Sequence, residues 1–175
     1  MTLFTPRLIL LAIALMSAGS LGAAYMGEVY FNLKPCVLCL YQRYAYMSTI
    51  GLGLIGACLP QARHQITILY ITALGFMANF GIATYQVLVE KKILSPPGVC
   101  KGIEIDTLNQ TFAQFKASLS SAGNHVPCDV VAWDLFGISM AGYNALFTLL
   151  CALAILATAT LFYAPSCKRK FCHER

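Results

Sequence analysis

The stretch LKPCVLCLYQR, at residues 33–43, places two cysteines three positions apart at the start of an apolar run. Pro35 suits the first turn of a helix, where no backbone N–H is needed, so a helix is predicted to begin at Pro35 or Cys36. Cys36, Cys39 and Arg43 are then spaced i, i+3 and i+7 and share one helix face. Both thiols would lie at the helix N-terminus, where the helix dipole favours the reactive thiolate.

The chain around this stretch has the composition of a membrane protein. Of its 175 residues, 58% are hydrophobic and only 11% are charged, and the mean hydropathy is +0.68. Soluble domains carry about 25% charged residues, and a spanning helix needs about 20 mostly apolar ones. The sequence predicts a single integral membrane domain over residues 1–175, with spans near 8–26, 44–61, 66–86 and 137–160 and outer segments near 27–43 and 87–136. An alternative is that the first apolar stretch is a cleaved signal peptide, which would leave three spans.

The distribution of charge predicts the orientation. With four spans, the N-terminus, the turn at 62–65 and the C-terminal tail lie on one side of the membrane. That side carries the whole formal net charge of +5, whereas acidic and basic residues balance on the other side. Because basic residues accumulate on the cytoplasmic side, both termini are predicted to be cytoplasmic. The basic composition therefore reflects topology and does not indicate nucleic-acid binding.

Four of the eight cysteines fall on the outer side, where disulfides persist. Four cysteines allow three connectivities, and two structural disulfides are one interpretation. A bond across two residues closes a very small loop and constrains the unfolded chain little. Redox function is therefore the favoured interpretation of this set, which comprises Cys36, Cys39, Cys100 and Cys128.

Arg43 is costly near the hydrocarbon region and needs an explanation. One interpretation is a side chain that reaches the outer head groups. The other is a cation that stabilises a thiolate and polarises an oxygen of a lipid-soluble electron acceptor. A membrane quinone fits that description, since it is apolar, redox-active and accepts hydrogen bonds through its carbonyls.

The longest predicted loop covers about residues 90–134. The prolines and glycine of its opening, KKILSPPGVCKG, exclude a helix around Cys100. We therefore expect Cys100 to be exposed, where a partner protein could engage it. Apolar residues then recur at helical spacing across 105–119, which predicts a short amphipathic helix that lies on the membrane surface or caps the bundle.

The chain resembles the disulfide bond formation protein B (DsbB) family of bacterial inner-membrane thiol oxidases. The resemblance rests on four spans, on KPCVLCLYQR entering the second, on two cysteines in the following outer loop, and on CDVVAWDLFGISM leading into the last. It implies an all-α membrane protein in the bacterial inner membrane. Its four-transmembrane-helix bundle would have a long periplasmic loop between helices 3 and 4, with the redox cysteines facing the periplasm.

The resemblance also implies a role for each cysteine. Cys100 and Cys128 would form the disulfide that oxidises a periplasmic DsbA-like thioredoxin-fold protein, with Cys100 taking the mixed disulfide. Cys36 would then bond transiently with Cys128. Cys39 would pass the electrons to ubiquinone, or to menaquinone when oxygen is scarce.

Two further positions match the quinone site of that family, namely Arg43 and Met140. Two others depart from it. Gln42 stands where an acid often precedes the arginine, and Val87 stands where many relatives carry a histidine. The resemblance makes a quinone the expected cofactor, and the sequence contains no metal-binding or flavin motif that would compete with it.

Other classes with cysteines and four spans fit less well. In vitamin K epoxide reductase-like proteins the Cys-x-x-Cys lies in a late span, so the order is reversed here. The alternative to an enzyme is a four-span scaffold with a disulfide-stapled outer loop, as in tetraspanins. The Cys-Cys-Gly of tetraspanin loops is absent from this sequence.

Overall fold

The structure is a computed structural model that describes residues 5–97, 100 and 127–171, with the side chains of the last helix described to Phe162. Within these residues the chain forms four helices, α1 (Pro6–Phe31), α2 (Val37–Cys58), α3 (Ala62–Glu90) and α4 (Met140–Phe171). A short antiparallel hairpin, β1 (Asp134–Leu135) and β2 (Ile138–Ser139), immediately precedes α4. The predicted all-α architecture is confirmed, whereas the hairpin is an addition to it.

The sequence marks the helix ends. Pro6 is the first residue of α1, where its missing N–H costs no hydrogen bond, and the Thr5 side chain accepts a hydrogen bond from the Leu8 N–H. At the other end of the bundle, Pro60 follows Leu59, the C-cap residue of α2. The residue before a proline is pushed towards extended backbone, so α2 stops and α3 begins after a short turn.

The core of the bundle contains side chains from all four helices. Its fully buried members include Leu10 of α1, Leu69 of α3 and Ala159 of α4. A hydrogen bond of 3.0 Å from the Thr49 hydroxyl to the Ser17 hydroxyl joins α2 to α1 within this packing. Because α1 contributes both apolar and polar contacts to the core, the packing favours a bundle helix over a cleaved signal peptide.

Gly53 sets the distance between α1 and α2. A Cβ at this position would lie 2.8 Å from the Leu10 carbonyl oxygen and 3.0 Å from the Ala14 Cβ. Small residues at such contacts let membrane helices approach closely. Gly51 lies in the same helix, and a Cβ there would meet nothing within 4 Å.

We expect Gly53→Ala to lower the melting temperature of the detergent-solubilised protein. Overpacking of this kind costs about 1–3 kcal/mol. Gly51→Ala is the matched control, because it gains helix propensity without a clash and should leave the melting temperature unchanged or raised. Equal melting temperatures for the two variants would contradict the close contact between α1 and α2.

Three helices within the described part of the chain are long and apolar enough to cross a membrane, namely Pro6–Phe31, Ala62–Glu90 and Met140–Phe162. Together they make the chain a multi-pass membrane protein. The 22-residue helix α2 is not among them. The fourth crossing and the exact limits of the spans remain predictions, and the amphipathic helix expected over 105–119 lies outside the described residues.

Candidate functional site

The connection between α1 and α2 places the first cysteine pair. Asn32 ends α1 in the left-handed conformation, with φ 51°, and its backbone N–H donates to the Gly27 carbonyl. Asn tolerates this conformation better than most residues do. The extended segment that follows leads through Pro35 to Cys36, which is the N-cap of α2 and therefore stands one residue before the helix. The Cys39 N–H donates to the Cys36 sulfur at 3.2 Å.

The second cysteine pair lies against the first. Cys100 and Cys128 form a disulfide, and both are buried in one cluster with Cys36, Leu38 and Val89. The expectation that Cys100 is exposed is wrong, since only 4% of it is accessible. The apolar disulfide is packed against Leu38, near the N-terminal end of α2, and Val89, at the C-terminal end of α3.

Cys39 ends a chain of hydrogen-bonded amide side chains that joins α2, α3 and α4. Gln86 Nε2 donates to the Cys39 sulfur at 3.5 Å, and Gln42 Nε2 donates to Gln86 Oε1 at 2.8 Å. Asn144 Nδ2 donates to Gln42 Oε1 at 2.7 Å, and the Tyr46 hydroxyl donates to Asn144 Oδ1. Gln86 and Gln42 are both buried, so each amide depends on the others for its hydrogen bonds.

Sequence reasoning missed the roles of Gln86 and Asn144. The available signal was that polar side chains inside spanning helices are rare and tend to face the bundle interior. At this end of α3 the sequence drew attention to Val87, an apolar residue. The preceding residue, Gln86, is the one that contacts Cys39.

Arg43 is held by α1 and does not extend freely to the head groups. Its Nη1 lies 2.7 Å from Glu28 Oε2, and only 12% of the Arg43 side chain is exposed. The guanidinium carbon lies 4.7 Å from the centre of the Tyr25 ring, within the range of a cation–π contact. Nη2 also approaches the Ala24 carbonyl oxygen at 3.5 Å. These contacts fix the cation one turn from Cys39.

A cavity of about 290 Å³ opens beside these groups. Its wall contains four of the residues that the sequence singled out, Cys36, Cys39, Arg43 and Met140. Apolar side chains from α1 and α4 and the polar Gln42 and Gln86 complete much of the lining. The volume is close to the lower end of the range for small-molecule sites, roughly 300–1,000 Å³. Cys100 and Cys128 lie behind Cys36 and are not part of this wall.

The thiols of Cys36 and Cys39 differ in pKa. Both residues lie before the predicted span at 44–61. The hydrogen bond from the Cys36 thiol, assisted by the Gln86 amide and the charge of Arg43, lowers the pKa of Cys39 to about 6 despite its burial. The same hydrogen bond with Cys39, together with burial, raises the pKa of Cys36. Of the two thiols in the reduced pair, Cys39 is therefore the one that loses its proton first.

We expect iodoacetamide to modify Cys39 of the reduced protein with a midpoint near pH 6, because only the thiolate reacts. Cys36→Ala removes the main hydrogen-bond donor and should move this midpoint to higher pH, whereas Cys36→Ser keeps a donor and should move it less. Mass spectrometry of the labelled peptide against pH gives the midpoint for Cys39 alone. A midpoint near that of an ordinary thiol in all three proteins would contradict the assignment.

Within the described residues, no group of three or more His, Cys, Asp or Glu side chains lies together in a way that could hold a metal ion. The cavity wall carries two thiols, three side-chain amides, two cations and one carboxylate, together with hydroxyl groups and apolar side chains. The amides are those of Gln42, Gln86 and Asn144, the cations are Lys34 and Arg43, and the carboxylate is Glu90.

Comparison with known proteins places the chain in a family. The family model described as disulfide bond formation protein DsbB matches residues 6–158. A protein named disulfide bond formation protein B from Dechloromonas aromatica is 31% identical over 149 residues, which is 82% of this chain and 88% of that protein. Another of that name, from Marinobacter nauticus, is 28% identical over 92% of this chain and 96% of its own length.

A third relative, an uncharacterized protein of Rickettsia prowazekii, is 29% identical over 93% of this chain and 90% of its own length. The range that the family model matches includes both cysteine pairs, Arg43 and Met140. The chain belongs to the DsbB family of disulfide bond formation proteins.

Proposed function

We propose that the protein is a thiol oxidase of the bacterial inner membrane. It reoxidises a periplasmic DsbA-like dithiol protein and passes the electrons through its two cysteine pairs to a membrane quinone, which sustains protein disulfide formation. One observation carries the proposal. Cys36 belongs both to the buried cluster that holds the Cys100–Cys128 disulfide and to the wall of the cavity beside Cys39.

The first half of the reaction exchanges the outer disulfide with the partner. A thiolate of the partner attacks the Cys100 sulfur, a mixed disulfide forms, and Cys128 leaves as a thiolate. The second thiolate of the partner then breaks the mixed disulfide and releases the oxidised partner. Cys100 and Cys128 now hold the two electrons. Because Cys100 is buried, this attack requires the partner to displace the Cys100 segment from Val89 and Leu38.

The second half moves the electrons inward, starting from a Cys36–Cys39 disulfide. The Cys128 thiolate attacks Cys36, and Cys39 leaves as a thiolate, which its low pKa favours. The Cys100 thiolate then attacks Cys128, which restores the outer disulfide and releases Cys36. The outer pair is again oxidised and the inner pair reduced, which is the state of the four cysteines in the structure.

The donors around the cavity fit a quinone. Arg43 and the amides of Gln42 and Gln86 can donate hydrogen bonds to carbonyl oxygens, while Met140 and the neighbouring apolar side chains can pack against a ring. A bound quinone would supply an acceptor for two electrons and two protons. The chain holds Cys39 as a thiolate at the cavity wall, keeps Arg43 oriented through Glu28, and excludes water with apolar side chains.

The proposed orientation places this site on the periplasmic side. The positive charge at the termini and at the 62–65 turn favours those segments on the cytoplasmic side. Disulfides persist in the periplasm but are rare in the cytosol. Both considerations put the two cysteine pairs at the outer face of the inner membrane.

A quinone-reduction assay with this protein and a reduced DsbA-type partner tests the proposal. The purified protein is mixed with a short-chain ubiquinone analogue and a reduced DsbA-type protein, and quinone absorbance is followed. We expect absorbance to fall only when all three components are present. No quinone loss, with the cysteines locked in disulfides that the partner cannot reduce, would instead favour a disulfide-stapled scaffold.

A further inference from the structure

The segment between Cys128 and α4 exposes an unusual amount of apolar surface. We define residues 130–139, which include the β1–β2 hairpin, as the pre-α4 hairpin. Its only charged residue is Asp134. Six apolar side chains in this segment are between 43% and 90% exposed, Val130, Val131, Trp133, Leu135, Phe136 and Ile138. A water-facing loop would normally carry polar side chains at such positions.

The tip of the pre-α4 hairpin is strained as well as exposed. Phe136 and Gly137 form the turn with φ angles of 52° and 75°. Two-residue turns of this kind favour Asn or Asp followed by Gly, because both residues take positive φ. A bulky aromatic residue there is an outlier that calls for a functional explanation. Phe136 is also 90% exposed, so contacts with the described residues do little to compensate for its conformation.

Hydrogen bonds clamp the pre-α4 hairpin onto the first turn of α4. The Met140 N–H donates to the Trp133 carbonyl at 3.2 Å, and the Tyr143 hydroxyl donates to the Leu135 carbonyl at 3.0 Å. Met140 is also the first residue of the apolar stretch Met140–Phe162. The hairpin tip is therefore fixed only four residues before a candidate span begins.

The tip of the pre-α4 hairpin is close enough to the start of α4 to contact lipid. A strand rises about 3.3 Å per residue, so Phe136 lies roughly within 13 Å of the start of α4 along the chain. The headgroup region on each side of a bilayer is about 5–8 Å thick. Trp133 and Tyr143, whose rings lie 6.4 Å apart, are the residue types that concentrate at this boundary.

We propose that the pre-α4 hairpin is a membrane anchor. It inserts Phe136 and its apolar neighbours into the headgroup region of the leaflet at the N-terminal end of α4. We assign lipid as what covers this exposed apolar surface. The surface is continuous with a candidate span and is held to it by two hydrogen bonds. The anchor fixes Val130, Ala132 and Trp133, which line the cavity, at the level of the membrane surface.

Single-tryptophan fluorescence tests this placement directly, since Trp133 is the only tryptophan in the chain. Phe136→Trp is made in a Trp133→Phe background and reconstituted in phosphatidylcholine vesicles brominated near the glycerol end or near the methyl end of the acyl chains. We expect blue-shifted emission, weak quenching by acrylamide, and stronger quenching by the shallow bromines than by the deep ones. Leu74→Trp in the same background, at an exposed position in the middle of α3, is the control and should favour the deep bromines.

A second variant keeps the turn intact while removing the proposed anchor. Phe136→Asn places a residue that tolerates positive φ at the tip, so the hairpin should form, and melting temperature checks the fold. We expect native Trp133 to lose lipid quenching in this variant and to become more accessible to acrylamide.

Two results would overturn the anchor. In the first, the tryptophan introduced by Phe136→Trp emits as in water and is quenched by acrylamide alone, which would leave the face free for a protein partner. In the second, Phe136→Asn leaves the lipid quenching of Trp133 unchanged.

Discussion

Serine at any one of Cys36, Cys39, Cys100 or Cys128 is expected to reduce steady-state quinone reduction to the uncatalysed background. In the proposed relay each cysteine takes part in a bond that must be made and broken, and a hydroxyl cannot form a disulfide. The structure supports this dependence because three of these sulfurs share one buried cluster and the fourth, Cys39, packs against it. The measurement is quinone absorbance with a reduced DsbA-type partner in excess.

Serine variants of the two cysteine pairs should stop the reaction at different steps. Cys39→Ser leaves the outer disulfide intact, so one equivalent of partner should still be oxidised before turnover stops. Cys100→Ser and Cys128→Ser remove that disulfide, so no equivalent should be oxidised. Cys58→Ser is the matched control, since Cys58 is an exposed free thiol at the far end of α2 and should keep full activity. Full activity in all four serine variants would rule out the relay.

Arg43→His is expected to raise the KM for quinone by a factor of about 10–100, because a charge-assisted hydrogen bond contributes about 1.5–3 kcal/mol. The loss should appear in the half-reaction with quinone only. Oxidation of the first equivalent of partner depends on Cys100 and Cys128, which lie outside the cavity wall, and should keep its rate. Rapid mixing separates the two steps.

Glu28→Gln is the companion variant for Arg43. It removes the 2.7 Å ion pair but keeps a hydrogen-bond acceptor beside Arg43. The Glu28 side chain is 38% exposed, so a smaller increase in the KM for quinone is expected. Equal KM values for wild type, Arg43→His and Glu28→Gln would show that the cation does not contribute to the quinone site.

The sequence predicted the parts of this fold that depend on local pattern. Long apolar runs indicated the spanning helices, and Pro35 indicated the start of α2 to within two residues. The i, i+3, i+7 spacing correctly placed Cys36, Cys39 and Arg43 on one face, since all three line the same cavity. These features follow from helix geometry alone and need no knowledge of the neighbouring helices.

Features that depend on packing between helices were not predictable in this way. The ion pair between Arg43 and Glu28 joins residues 15 positions apart, and the amide chain through Gln86 joins three helices. The burial of Cys100 was missed for the same reason. A proline-rich segment normally lies at the surface, and only the assembled bundle shows where its disulfide packs.

In the proposed relay, electrons cross from the Cys100–Cys128 pair to the Cys36–Cys39 pair through a disulfide between Cys36 and Cys128. A protein with Cys39→Ser and Cys100→Ser retains only these two of the four redox cysteines. After mild oxidation in lipid, peptide mass spectrometry without reduction should find Cys36 linked to Cys128. If both remain thiols, or if Cys36 links instead to Cys58 or Cys151, the two pairs do not exchange and the relay is refuted.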